Sequence, residues 1–369
     1  MKVAHLDTGR TWRGGQAQVL FLMRGLRAHG DHNLLLAPEG PLLERARAEG
    51  FATERWRPRG ELDLGAVWRA ARRLAAADVD VAHCHSAHAH AVGVPAARLA
   101  KVPAVLVSRR VDFAVARHPF SALKYRMPVD RYLCISRGVL AVMRAAGVPE
   151  SRLALVPSGI ELPDPPLGQD LRALIGAPEH APIVGTVAAL APHKDHANLL
   201  AAVPEVIRRV PDVQFVWVGE GECRLALERA RAALGLESRV HLLGFRADAH
   251  AMLRQFTVFA LASYLEGLCT SLLDAQALGV AIVATAVGGV PDVVRDGVTG
   301  RLVPARQPHA LAEALVEALE DPSRRAGWAA RARDAVQAFR IERTVELTRA
   351  EYQRALGVVQ WTGTEPAER

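Results

Sequence analysis

Residues 263–300 read SYLEGLCTSLLDAQALGVAIVATAVGGVPDVVRDGVTG. A loop with one acid, Glu266, runs through Gly267, Leu268 and Cys269 to Thr270, and apolar residues then recur at helical spacing: Leu272, Leu273, Ala277 and Leu278. That spacing leaves Asp274 and Gln276 on another face, and Gly279 ends the helix. The apolar run AIVAT follows as a strand. The first amides of such a helix lack intrahelical partners, so residues 267–270 form a candidate cradle for a diphosphate. An ordinary loop, helix and strand of a parallel sheet reads the same way, and the segment alone leaves both readings open.

The alternation of strand and helix extends in both directions. PIVGTVAAL, VQFVWVG, RVHLLG, TVFALAS, AIVAT and GRLVP read as buried strands separated by helical sequence, which predicts a Rossmann-type sheet. Upstream, KVAHLD, HNLLLAP, VDVAHCH, AVLVSRR, RYLCIS and LALVPS predict a second such sheet, with helices over 16–29, 64–77 and 87–101. Between the two lies ELPDPPLGQD, which has three prolines and no periodicity and reads as a linker. The expected class is α/β, with a Rossmann-like domain over residues 1–165, a second over 166–340, and a C-terminal helix over 341–369 that packs back on the first and ends in a polar tail. Two such domains facing each other create a cleft, and ligands are expected at the carboxyl ends of the strands.

A chain of 369 residues can bury two cores. No apolar run approaches the roughly 18 residues of a membrane span. The N-terminus, MKVAHLDTGRTW, turns polar too early for a signal peptide, so a cytoplasmic location is expected. Cys84, Cys134, Cys223 and Cys269 have no CxxC spacing, which fits reduced thiols. The first 165 residues carry 24 Lys and Arg against 15 Asp and Glu, a net +9, while the remainder stands at −2, giving the total of +7. A basic half suits an anionic substrate or the inner face of an anionic membrane. No aromatic stacking motif accompanies the arginines, so nucleic acid is not an expected partner.

Several loops carry residues suited to anion or sugar chemistry. Gly14, Gly15 and Gln16 precede a helix, where glycine lets a backbone approach a phosphate; a plain turn is the alternative. The pattern is not GxGxxG, which disfavours a dinucleotide. Lys194 follows the first strand of the second sheet and can neutralise a leaving diphosphate as a point charge. His83, His85, His88 and His90 cluster at a strand end, but no further ligand pattern completes a metal site. His85 is a candidate for a ligand hydroxyl, or a structural residue. Arg109 and Arg110 end the next strand and can clamp an anionic acceptor, or pair with Asp112.

Taken together these motifs resemble the retaining glycosyltransferases of family 4, which have the two-domain GT-B fold. The family's C-terminal signature is an acid, seven residues and a second acid, followed by GG-x-P-E and D-G-x-x-G. Glu266 fills the first acid, Asp274 the second, and GGVPDVVRDGVTG the remainder, with Asp292 for the usual Glu. Lys194 matches the lysine that contacts the donor diphosphate, while the arginine expected five residues earlier is Ala189. GGQ at 14–16 resembles the family's N-terminal glycine loop, VDVAHCHS its D-V-V-H-x-H strand, and LLGF, with Leu243 and Phe245, the strand end that holds the nucleobase. Arg110 stands where relatives carry a histidine.

The resemblance implies transfer of a sugar from a nucleotide diphosphate sugar, with UDP favoured, to a hydroxyl of a lipid-linked or saccharide acceptor in envelope glycolipid or polysaccharide assembly. It implies retention and neither metal nor cofactor. Glu266 and Lys194 are the expected catalytic residues, with residues 267–270 and Asp274 on the diphosphate and ribose. Gln16, His85, Arg109 and Arg110 are expected on the acceptor side. A GT-B epimerase or phosphorylase is the competing enzyme reading, disfavoured by the acid pair and by the absence of a pyridoxal-type lysine motif. A two-lobed sugar-binding protein is the competing non-enzyme reading.

Overall fold

A computed structural model describes residues 1–113, 115, 124–165 and 168–358. The chain divides into two compact units, Met1–Gly159 with Ile341–Arg369, and Ile160–Arg340. Each is built on a wholly parallel sheet flanked by helices, the Rossmann-like arrangement that alternating strands and helices predict.

In the first unit, β1 (Lys2–Leu6), β2 (His32–Ala37), β3 (Ala52–Arg55), β4 (Val81–Cys84), β5 (Ala104–Arg109), β6 (Arg131–Cys134) and β7 (Leu153–Leu155) pair in the order β3-β2-β1-β4-β5-β6-β7. Strands covered by helices on both faces read as unbroken apolar runs, and β4 and β5 are buried nearly throughout. The edge strand β3, ATER, has no such run; it is mostly exposed and bears charge, as edges that avoid further pairing do.

The helix Ile341–Ala355 completes this unit. It lies so close to the helix Gly14–Ala28 that a Cβ at Gly25 would sit 2.4 Å from Cγ2 of Val345. Tyr352 is fully buried, with its hydroxyl 2.7 Å from Nδ1 of His83. Arg131 donates to Glu351 at 2.6 Å, and Arg349 to Asp31 at 2.9 Å.

In the second unit, β8 (Ile183–Val187), β9 (Gln214–Val218), β10 (Val240–Gly244), β11 (Val258–Leu261), β12 (Ala281–Thr285) and β13 (Arg301–Val303) pair in the order β10-β9-β8-β11-β12-β13. The helices His196–Arg209 and Pro308–Glu320 cover one face over a core that includes Phe215, Trp217, Leu315 and Trp328. Gly185 admits the ring of Phe256, whose carbons lie 2.2 Å from where a Cβ would stand.

Both sheets reverse their winding at one place, between β1 and β4 in the first and between β8 and β11 in the second. Loops leaving adjacent strands there run in opposite directions, which opens a crevice at their carboxyl ends.

Candidate functional site

The crevice of the second unit is where Lys194 and Glu266 meet. The loop after β8 makes a short 3-10 turn, Pro192–Lys194. Asp195 then takes a left-handed φ of 49° and caps the helix His196–Arg209 through a hydrogen bond from the Asn198 amide at 3.3 Å. The loop after β11 carries Glu266. Lys194 Nζ donates to Glu266 Oε1 at 2.5 Å, and Ser263 Oγ donates to the same oxygen at 2.7 Å. The Glu266 carbonyl accepts from the Gly289 amide at 3.1 Å, which ties this loop to the one after β12. Both side chains are largely buried, at 15% and 7% exposure. Burial alone would push the Lys194 pKa down, but the hydrogen-bonded Glu266 carboxylate holds it above its usual value, so the ammonium stays charged.

Gly267, Leu268, Cys269 and Thr270 lead into the helix Thr270–Ala277, and no side chain caps its first turn. Its amides carry the partial positive charge of a helix N-terminus. Cys269 is buried, its sulfur 3.9 Å from Lys194 Nζ and 3.1 Å from Ser271 Oγ. Burial raises the thiol pKa, so the group beside Lys194 is a neutral thiol and Glu266 supplies the counter-charge.

One turn further on, Asp274 Oδ2 lies 3.4 Å from His250 Nε2. The hydrogen bond to Asp274 raises the His250 pKa against the opposing effect of burial. Gln276 does not share an exposed face with Asp274, as the periodicity suggested. It is fully buried and donates to the Val293 carbonyl at 2.8 Å, because a second short helix, Val290–Val293, covers that side. Leu243 and Phe245 end β10, two strands from β8, and the ring of Phe245 is 71% exposed. Ala189 lies half-buried between β8 and Lys194. Arg306 stacks over Tyr264 at 4.3 Å, and the Tyr264 amide donates to the His193 carbonyl, so a further guanidinium joins this loop cluster.

The other candidate residues stand at the carboxyl edge of the first sheet. At its reversal, Thr8 Oγ1 and Ser86 Oγ are 2.7 Å apart. Gly14 opens the helix Gly14–Ala28, again without a side-chain cap. Gln16 folds back to donate to Asp7 Oδ1 at 3.1 Å. His85 is buried and 3.0 Å from His5, which in turn contacts Asn33 at 2.9 Å. His83 completes the cluster between Tyr352 and Ser108. Burial pushes all three histidines down, His5 to about 4, so they are neutral. Five of their six ring nitrogens already have protein partners, and among the described residues His85 Nδ1 has none. Arg109 donates to the Tyr125 hydroxyl at 2.9 Å and the Phe113 carbonyl at 2.6 Å, and Arg110 makes one long contact, 3.4 Å, to Ser158.

Sequence reasoning missed His250, His5 and Ser263 as members of these clusters. Ser263 had a signal, its place three residues before Glu266. The histidines had none, since each meets its partner only through folding.

Two family models account for most of the chain: Glycosyltransferase Family 4 matches residues 12–163, and Glycosyl transferases group 1 matches residues 169–335. The chain belongs to the family 4 glycosyltransferases. A relative from Mycolicibacterium smegmatis, the GDP-mannose-dependent alpha-(1-6)-phosphatidylinositol monomannoside mannosyltransferase, is 33% identical over 52% of this chain and 53% of its own. Its Corynebacterium glutamicum counterpart, specific for the monoacylated acceptor by name, is 30% identical over 59% of this chain and 60% of its own. The match thus spans little more than half the length of these curated relatives. Anabaena Alr3699/HepE, solved in complex with UDP, shares the fold with a TM-score of 0.83 at 21% identity, over 96% of this chain and all of that one. The two Rossmann-like units are those of GT-B glycosyltransferase structures.

Proposed function

We propose that this chain transfers a sugar from a nucleotide diphosphate sugar to a hydroxyl of a glycolipid-type acceptor, with retention and without a metal ion. The observation that carries the reading is the Lys194–Glu266 pair at the reversal of the second sheet, beside an uncapped helix N-terminus. Breaking the bond between sugar and diphosphate develops negative charge on the leaving group and positive charge on the sugar. Lys194 and the first amides of the helix Thr270–Ala277 offset the former, and Glu266 the latter. Asp274, oriented by His250, takes the ribose hydroxyls, and Leu243 and Phe245 take the base. Gln16, His85, Arg109 and Arg110 serve the acceptor.

The names of the mycobacterial and corynebacterial relatives support a GDP-sugar, and the UDP complex of the Anabaena protein supports UDP. Thermal shift with GDP, UDP and their sugars decides between them, since a ligand of the native state raises the midpoint. A panel in which no nucleotide moves the midpoint removes the reading. NMR of the product's anomeric proton tests retention, and turnover lost in chelator contradicts the metal-free scheme.

Among the described residues no helix is long and apolar enough to cross a membrane. A surface suited to lying on one is present. Leu62, Leu64 and Trp68 are 78%, 79% and 55% exposed, with Arg59, Arg69 and Arg72 exposed around them and Arg72 stacked on Trp68 at 4.8 Å. Apolar side chains with arginines nearby, alongside the acids Glu61 and Asp63, suit an anionic lipid surface. Sedimentation with anionic vesicles should show binding at low salt that Leu64→Asp and Trp68→Asp abolish. Equal binding by the variants removes the membrane clause.

A further inference from the structure

The first unit contains a cavity of about 210 Å³ whose walls include Ser86, Ser108, Arg109, Arg110, Tyr125 and Tyr132. No Asp or Glu is among its described lining residues. Its two histidines carry no charge, because burial holds His85 far below its usual pKa and His90 at about 3. The wall charge is therefore that of two guanidiniums. Arg109 spends its hydrogen bonds on neutral oxygens, Arg110 has one long contact, and the Nε of each is buried without a partner among the described residues. Asp7 is the acid whose charge acts on Arg110, and burial still lowers that guanidinium to about 10. Partly buried cations with so little compensation are costly unless a ligand brings the counter-charge.

We propose that this cavity binds an anionic group, a phosphate or a carboxylate, carried by the sugar acceptor. The proposal rests on the transferase reading for the word acceptor, and on the cavity alone for the anion. Planar guanidiniums suit both oxyanions, and the serine and tyrosine hydroxyls complete their hydrogen bonding. The volume falls below the roughly 300–1,000 Å³ that holds a whole drug-sized ligand, so the site takes the charged end of the acceptor and leaves its remainder outside.

Calorimetry of the full chain with inorganic phosphate tests the site without requiring transfer. In a Lys194→Gln background, which removes the donor site's own attraction for phosphate, the expected result is binding that Arg110→Gln and Val111→Phe each weaken roughly tenfold or more. Val111 is a lining residue with 37% exposure, so Val111→Phe narrows the mouth while keeping both charges, and separates loss of the site from loss of the fold. In that background, phosphate binding that survives both cavity substitutions, or no phosphate binding at all, overturns the proposal. Glycerol 3-phosphate against glycerol, and glucuronate against glucose, then name the anion. Tighter binding of either charged member supports the site, and equal binding within both pairs overturns it. Anion binding without any sugar transfer counts against the transferase reading and leaves the cavity's ligand standing; transfer to a neutral acceptor with no anion binding does the reverse.

Discussion

The ammonium of Lys194 and the carboxylate of Glu266 are 2.5 Å apart, although 72 residues of chain separate them. Adjacent strands β8 and β11 bring them together, and the Ser263 hydroxyl fixes the same carboxylate oxygen at 2.7 Å. Glu266→Gln retains an oxygen for both donors and loses the charge. We expect a variant that folds, melts below the wild type because buried Lys194 loses its counter-charge, and turns over on the order of 100-fold more slowly. Initial rates alongside a circular dichroism melt check this; undiminished rates remove Glu266 from the mechanism.

Lys194→Ala has a different signature. It leaves a buried carboxylate without its cation, a loss on the order of 3 kcal/mol of stability. The double variant Lys194→Ala with Glu266→Gln, which removes both charges, should recover most of it. Urea unfolding of the wild type, the two single variants and the double gives the comparison, and simple additivity would show that the pair is not coupled.

His250 and Asp274 predict a pH dependence. The folded pKa of His250 lies above its usual 6.5, so the protonated pair adds stability that is complete below 6.5 and fades as pH rises through the folded value. Asp274→Asn should flatten that part of the stability profile. A slope unchanged in the variant assigns it elsewhere.

His196 predicts the opposite. It is buried against Trp217, neither ring nitrogen has a partner among the described residues, and burial, aided by Lys194 and His193, lowers its pKa to about 4. The unfolded chain takes up its proton first, so stability falls as pH drops from 6.5 towards 4, by up to about 1.4 kcal/mol per pH unit. His196→Phe forfeits no hydrogen bond and should be more stable than the wild type at the acid end of that window. Denaturant titrations across the window test it, and a variant less stable throughout would point to an unseen partner.

Gly25→Ala probes the contact between the helices Gly14–Ala28 and Ile341–Ala355. The added methyl would overlap Val345, and overpacking of this kind costs about 1–3 kcal/mol. Gly25→Ala combined with Val345→Ala should regain part of the loss.

The central strands of the second sheet, β8, β9, β11 and β12, were legible because each is buried nearly throughout and so reads as one apolar run. β3 was not, since ATER lies at an edge where exposure erases the run. Lys194 and Glu266 were legible as strand-end residues, and the sheet order, which sequence does not display, makes them neighbours. Periodicity misplaced Gln276, because a helix covered on more than one side buries polar residues that can bond inward. The partner of Asp274 lies on the helix Ala249–Leu253 and that of His85 on β1, and no local pattern announces them.

The helix Ile341–Ala355 gives Tyr352, Glu351 and Val345 to the unit that begins at residue 1. On the ribosome, the second unit is whole once residue 340 has emerged, whereas the first still lacks a wall of its core. Its partly formed sheet must wait through the synthesis of about half the chain, a long exposure for apolar strands. The half of the protein made first is thus the last to be finished.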